Sequence, residues 1–278
     1  MKLKYIYCFV IPLVIFTACK KISVENEKII VATTLAPYAD VIEQIGKDKI
    51  LVHLLIEPGQ NAHSFELMPS KLTAVEKAKI YLRVGKFFDI ENSILAKVKD
   101  FNSSIKIFDC SEGILIKNRN PHIWLSPKLM RRISENITDA LILIDKKNKD
   151  FYKSNFERFT KNLQNEDSLM NIMIKAKSKN TFAVYHAAWE YFADDYGLKE
   201  ISIEEEGKSP QMKSMKEKIQ QLSQLKIKTI FADPQFDSLP AETIAKSIGA
   251  KVDFLNPLPT NYLRNLSEIR LKLSKSLN

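Results

Sequence analysis

The period of the hydrophobic pattern switches repeatedly along the chain. Short apolar and β-branched runs, IIVATTL at 29–35, LVHLLI at 51–56, IYLRVG at 80–85 and IKIFDC at 105–110, predict strands, and the stretches 38–45 and 69–78 between them carry helical spacing. The second half repeats the plan. TFAVYH at 181–186, EISIE at 200–204, TIFAD at 229–233 and KVDFLN at 251–256 read as strands, separated by helical segments at 187–196, 211–225 and 241–248. Such alternation predicts an α/β fold of two lobes, each a small parallel sheet flanked by helices. Between the halves, Tyr152, Phe156, Phe159, Leu163, Met170 and Met173 fall on one helical face. They predict a long rigid helix, its apolar stripe running roughly 30 Å at 1.5 Å per residue, joining the lobes and bracing both through ordinary core packing.

The first residues set the compartment. Lys2 and Lys4 precede an apolar run from Ile6 to Phe16, too short to cross a hydrocarbon core of about 30 Å as a helix. It reads as a secretory signal. Its end, Phe16-Thr17-Ala18-Cys19, places a small residue before a cysteine, the pattern of a bacterial lipoprotein signal. Phe16 is unusual there, but it suits ordinary signal cleavage even less. The expected organisation is a signal peptide at 1–18, a tether at 19–28 starting from lipidated Cys19, an N-terminal lobe at 29–148, a linking helix at 149–178 and a C-terminal lobe at 179–278. The mature chain would be an extracytoplasmic lipoprotein held to a membrane by acyl groups.

Cysteine usage agrees with this. Cys8 lies in the signal and Cys19 would carry lipid, so Cys110 stands alone and no disulfide can form within the mature chain. Stability must come from a hydrophobic core, and a 45% hydrophobic composition supplies enough for two domains. Two of the nine net positive charges are Lys2 and Lys4. The remaining lysines are scattered among acidic residues with no basic stripe interleaved with aromatics, which argues against a nucleic-acid partner.

Candidate chemistry lies in the histidines. Of the four, His63 follows the second strand through the turn at 57–60, His122 follows the fourth strand and the loop 111–121, and His186 ends the first strand of the second half. Asp233 and Asn256 end two further strands. Ligands of parallel α/β sheets bind beyond the carboxyl ends of strands, so these five residues can meet at one rim between the lobes. Three imidazoles are a zinc donor set that leaves one tetrahedral position open. His53, inside a strand, reads as structural. Three histidines with an open position also describe zinc hydrolysis, with Glu190, one turn after His186, as general base; on an amphipathic helix, however, Glu190 reads as a solvated or paired carboxylate. The glycines never form GxG and no GxSxG occurs, which removes dinucleotide, P-loop and nucleophile-elbow chemistry. The acidic run Glu204-Glu205-Glu206 reads as a solvent-facing charge cluster. A surface adhesin would explain the anchor but leave the histidines idle.

The segments PGQNAHSFELMPS (58–70), PHIWLSP (121–127), YHAAWEYFADDYGL (185–198), EEGKSP (205–210), FADPQF (231–236) and IGAKVDFLNPL (248–258) together resemble the metal-binding lipoproteins of bacterial ABC importers for zinc and manganese, the cluster A-I substrate-binding proteins, from about residue 29 to the C-terminus. The resemblance implies two α/β lobes, a rigid linking helix and a metal held in the cleft by four segments, which match His63, His122, His186 and the place of Asn256. It also implies a non-enzymatic monomer that captures its ion and docks on a membrane permease driven by an ATPase. Three departures stand out. Ala62 replaces the usual proline, Ser126 replaces the usual aspartate after PHIWL, at the expected loss of a hydrogen bond behind the ligands, and Asn256 stands where many relatives carry a carboxylate. A neutral amide is a weak ligand for a divalent ion, so the fourth donor is left between Asn256, Asp233 and water. The loop 111–121 also lacks the His-rich insertion of many zinc members. Manganese relatives tend to carry glutamate at the position of His186, so the donor set points to Zn²⁺, with Mn²⁺ as the alternative.

Overall fold

In a computed structural model, the described residues are 28–62, 65, 68–204 and 212–278. The signal sequence, Cys19 and most of the tether lie outside the described residues, as do His63, Glu205 and Glu206. The N-terminal sheet contains β1 (Ile29–Thr33), β2 (Ile50–Leu54), β3 (Ile80–Arg83) and β4 (Lys106–Asp109), all parallel in the order β2-β1-β3-β4. The C-terminal sheet repeats this with β5 (Thr181–Val184), β6 (Lys199–Ser202), β7 (Thr229–Ala232) and β8 (Lys251–Phe254), in the order β6-β5-β7-β8. Each strand read from the sequence is present but stops one or two residues early. The terminal residues His186, Asp233 and Asn256 have already left the ladder.

The N-terminal lobe carries helices α1 (Ala36–Gly46), α2 (Pro69–Glu76), α3 (Asp89–Phe101) and α4 (Pro127–Ile144). After the linking helix α5 (Lys149–Lys175) come α6 (Glu190–Tyr196), α7 (Met212–Gln224), α8 (Leu239–Ser247) and α9 (Tyr262–Ser276). Helix α4 begins where the sequence has a start signal: Ser126 Oγ accepts from Leu129 N and Pro127 occupies the first turn.

Alternation along the strands divides the core into three. Val31, Ile80 and Leu82 of the first sheet and Phe182, Val184 and Phe231 of the second face one continuous central core. Ala32 and Tyr81 face a separate cluster with α2 and α3, and Ala183, Ile230 and Ala232 face another with α8. The lobes therefore share a core.

Helix α5 runs through it, 27 residues and about 40 Å long at 1.5 Å per residue. Its first half buries Tyr152 and Phe159, and Asn155 Nδ2 donates to Ile45 O at 2.9 Å at the end of α1. Its second half buries Leu163, Met170 and Ile174, and Asp167 Oδ1 accepts from Tyr196 Oη of α6 at 2.7 Å. The helix thus grips both lobes. Further along the seam, Trp124 Nε1 donates to Pro257 O at 2.7 Å, Tyr262 Oη donates to Trp124 O at 2.8 Å, and Tyr262 N donates to Asp40 Oδ2 at 2.8 Å.

Tyr262→Phe removes one of these bonds and leaves a buried carbonyl without its donor. The expected cost is about 1–3 kcal/mol. It should appear as a lower urea midpoint with an unchanged slope, because the surface exposed on unfolding stays the same.

Candidate metal centre

Parallel register builds the C-terminal half of the centre. Val184 of β5 is paired with Ser202 of β6 and with Phe231 of β7. Two residues beyond that row stand His186, Glu204 and Asp233, with the same side-chain parity on adjacent strands. All three are buried, at the point where the strand order reverses around β5. His122 comes from the other lobe, on the loop after β4.

The two rings face one another. His186 Nε2 lies 3.3 Å from His122 Nε2, and the other nitrogen of each ring has an acceptor. His186 Nδ1 bonds Glu204 Oε1, and His122 Nδ1 bonds Asn120 Oδ1 at 2.8 Å. Carboxylate or amide acceptors of this kind fix which nitrogen carries the proton and leave Nε2 with its lone pair for a metal. Asp233 Oδ2 is buried with no hydrogen-bond partner among the described residues. The cleft holds a small cavity of about 20 Å³ lined by Asn61, Ala62, His122, His186, Asp233 and Gln235, with Phe88, Trp124, Phe236, Pro257 and Leu258 as apolar walls. Among the described residues, no group of three His, Cys, Asp or Glu side chains is arranged to hold an ion by itself.

Burial and charge set the proton affinities. Burial pushes the Asp233 carboxyl up to about 7, against the pull of His186, while Glu204 and Glu200 push it the same way as burial. Glu200, which accepts from Trp189 N at 3.2 Å, is likewise raised to about 7 by burial. Burial alone would weaken protonation of His186, but the bond to Glu204 and the fields of Asp233, Glu204 and Glu200 outweigh it and raise its proton affinity. A pocket with apolar walls, one carboxyl group in its lining and two more behind it favours a cation.

Other expected residues fall elsewhere. His53 remains in edge strand β2, in register with Ala32, and does not line the cleft. Asn256 Oδ1 accepts from Gln235 Nε2 at 2.7 Å and from Leu258 N at 3.0 Å, and the residue borders a separate cavity with Pro234 and Lys272. Glu190 is a paired carboxylate: its oxygens accept from Asn120 Nδ2 at 2.9 Å and Asn118 Nδ2 at 3.4 Å. Ser126 donates to Asp195 Oδ2 at 2.5 Å, so the site of the missing aspartate still makes a polar contact across the lobes.

Glu204 corrects the sequence reading. It is buried, 4% exposed, and bonded to His186, because β6 lies next to β5 and brings its end beside the histidine. Asn120 also escaped the sequence reading, although it sits two residues before a singled-out histidine.

The profile of the family described as zinc-uptake complex component A, periplasmic, matches residues 31–274. The chain belongs to this family. It is 28% identical to the high-affinity zinc uptake system protein ZnuA of Bacillus subtilis (strain 168), over 84% of this chain and 80% of that one. It is 27% identical to the manganese ABC transporter substrate-binding lipoprotein PsaA of Streptococcus mitis, over 88% and 86%. A crystal structure of ZnuA superposes with a TM-score of 0.87 at 30% identity, covering 91% of this chain and all of the other. The protein is accordingly the metal-binding, extracytoplasmic component of an ABC importer, working with a permease and its ATPase, and not an enzyme. Among the described residues, no helix is long and apolar enough to cross a membrane.

The sign of the metal-free pH dependence follows from Asp233. Its carboxyl binds protons more tightly folded than unfolded, so its contribution to stability is full below about pH 4 and is lost as pH rises through about 7. Glu200 and His186, also raised, act in the same direction. Chelator-treated protein should lose stability between pH 5 and 8. Asp233→Asn should flatten that loss by an amount on the order of a few kcal/mol, read from melts across the range.

Proposed function

We propose that the protein captures Zn²⁺ in the inter-lobe cleft through His63, His122 and His186, with Asp233 as fourth donor, and delivers it to the permease. One observation carries this reading, the 3.3 Å separation of the two Nε2 atoms with each Nδ1 already engaged. Two nitrogens bound to zinc at about 2.0–2.1 Å with a tetrahedral angle between them stand about 3.3 Å apart, so the separation of these rings matches that of two ligands sharing an ion. Asp233 is favoured over Asn256 because it lines the cleft with an unsatisfied oxygen, whereas the Asn256 amide oxygen already accepts two bonds.

Relatives named for zinc and for manganese are both similar to this chain, so the choice of metal rests on donors. Imidazole nitrogens suit zinc, and manganese ranks lowest among divalent first-row ions for such ligands. Three imidazoles with one carboxylate form a softer set than an oxygen-rich one.

On chelator-stripped protein, one Zn²⁺ per chain should bind. Stabilisation should reach about 4 kcal/mol at a thousandfold excess over Kd, with a much smaller shift from equal Mn²⁺. Alanine at His63, His122 or His186 should weaken zinc by orders of magnitude, and His53→Ala should change little. A larger stabilisation by Mn²⁺, or loss of binding only in His53→Ala, overturns the assignment.

The lipoprotein reading of Ala18-Cys19 accompanies this proposal. Wild-type protein should partition into detergent, and Cys19→Ala should leave a monomer in the aqueous phase. A processed wild-type chain found wholly in the aqueous phase excludes the anchor.

A further inference from the structure

The Asn120 amide joins the two lobes at the back of a histidine ring. Residues 117–120 form a tight turn, closed by Asn120 N donating to Lys117 O at 2.7 Å, with Asn118 and Arg119 both left-handed at φ 48° and 57°. Two successive positive φ angles match the type I′ pattern. Helix α6 of the other lobe holds this turn with its first two residues. Tyr191 Oη accepts from Lys117 N at 2.8 Å and donates to Asn120 O at 3.2 Å. Glu190 Oε2 accepts from Asn120 Nδ2 at 2.9 Å.

An amide has one donating end and one accepting end. With Nδ2 committed to the Glu190 carboxylate, Oδ1 must face His122. There it accepts from His122 N at 3.0 Å and from the ring Nδ1 at 2.8 Å. A reversed amide would set Oδ1 against a carboxylate and Nδ2 against a backbone N–H, two repulsive contacts in place of two attractive ones. We propose that Glu190 is a positioning residue: by orienting the Asn120 amide across the lobe boundary, it holds His122 in the Nδ1–H form and keeps the Nε2 lone pair on the metal side.

Its partner ring is set within one lobe, by Glu204 on His186. The setting of His122 draws on both lobes, because Asn120 belongs to one and Glu190 to the other. Glu190 opens α6 four residues after His186, so the segment that brings one proposed ligand also orients the second. The donor form of His122 is therefore held from both sides, by the His122 backbone N–H within its own lobe and by Glu190 from the other.

This inference rests on the zinc-capture reading for its consequence, and two measurements separate them. The first is the ring ¹⁵N spectrum of His122 in chelator-stripped full-length protein at pH 8, assigned with His122→Asn. Wild type should show the Nδ1–H form, and Glu190→Ala should show a mixture. A wild-type ring protonated at Nε2, or a ring unmoved by Glu190→Ala, overturns the proposal whatever the protein binds.

The second is zinc affinity by competition with a chromophoric chelator. Glu190→Ala should weaken Zn²⁺ about tenfold, the lower end for loss of an outer hydrogen-bond partner. Glu190→Gln, which keeps an accepting oxygen, should stay within about threefold of wild type, since the Asn120 amide still finds its acceptor. In Asn120→Asp the carboxylate accepts from His122 with either oxygen and no longer needs orienting, so adding Glu190→Ala should leave affinity unchanged or improve it by removing like charge. Equal weakening in both backgrounds would show a role in packing alone and overturn the proposal. A wild-type protein that binds no zinc, yet shows the expected ring spectra, would instead defeat the zinc reading and leave the positioning role standing.

Discussion

The parallel register of β6, β5 and β7 is the constraint from which the site follows. Register is set strand by strand through backbone hydrogen bonds and the burial of alternate side chains, and a slip of one residue would turn every side chain to the opposite face. Phe182, Val184 and Phe231 are committed to the shared core and Ala183, Ile201 and Ile230 to the cluster on the opposite face, so slipping any of these strands would force side chains of the wrong size into two packed cores. With that row fixed, His186, Glu204 and Asp233 two residues on are placed as a group. The core therefore specifies the C-terminal half of the candidate metal centre without any contact to metal.

This geometry also explains which residues could be read from the chain and which could not. A histidine at the end of an apolar run is visible as soon as the period of the pattern changes, so His186 stood out, and His122 stood out through its segment PHIWLSP. Glu204 did not, because a run of three glutamates has the composition of a solvated surface. Its role depends on strand order: β6 neighbours β5 rather than β8, a fact about pairing that no local pattern carries. Helix α5 was legible because its apolar stripe is long. Helices α3, α4 and α9 were not singled out, although α4 has its start signal at Ser126-Pro127. Asn256 was placed correctly at a strand end, yet its side chain turns to Gln235 and the backbone of Leu258, a local choice set by the Pro257 bend rather than by position along the strand.

Ser126 shows how a departure from a family pattern can be absorbed. Its hydroxyl both caps α4 and donates to Asp195, so the acidic group at this seam comes from α6 instead of from the loop. Lys128, also on α4, meets the same Asp195 at 3.5 Å. Burial raises the Asp195 carboxyl against the pull of Ser126 and Lys128. The contact therefore works as a hydrogen-bonded junction between lobes more than as a surface ion pair, and such junctions are worth more than exposed pairs.

The shared core bears on how bound metal leaves. Opening the lobes as rigid bodies would part Trp124 from Tyr262, both buried within the central cluster, and each large side chain returned to water costs about 1.5–3 kcal/mol. It would also break the Trp124, Tyr262 and Asp40 bonds along the seam. Displacing one imidazole by an ångström costs far less. In the tetrahedral site proposed above it would release the ion as effectively, because such metal bonds are short and directional. His122 is the ring best suited to such a step. It sits on a loop held by a turn with two left-handed residues, and its Nδ1 acceptor is gripped from the opposite lobe. A small shift of α6 against that turn would loosen this ring while the row of His186, Glu204 and Asp233, fixed by strand register, stayed in place.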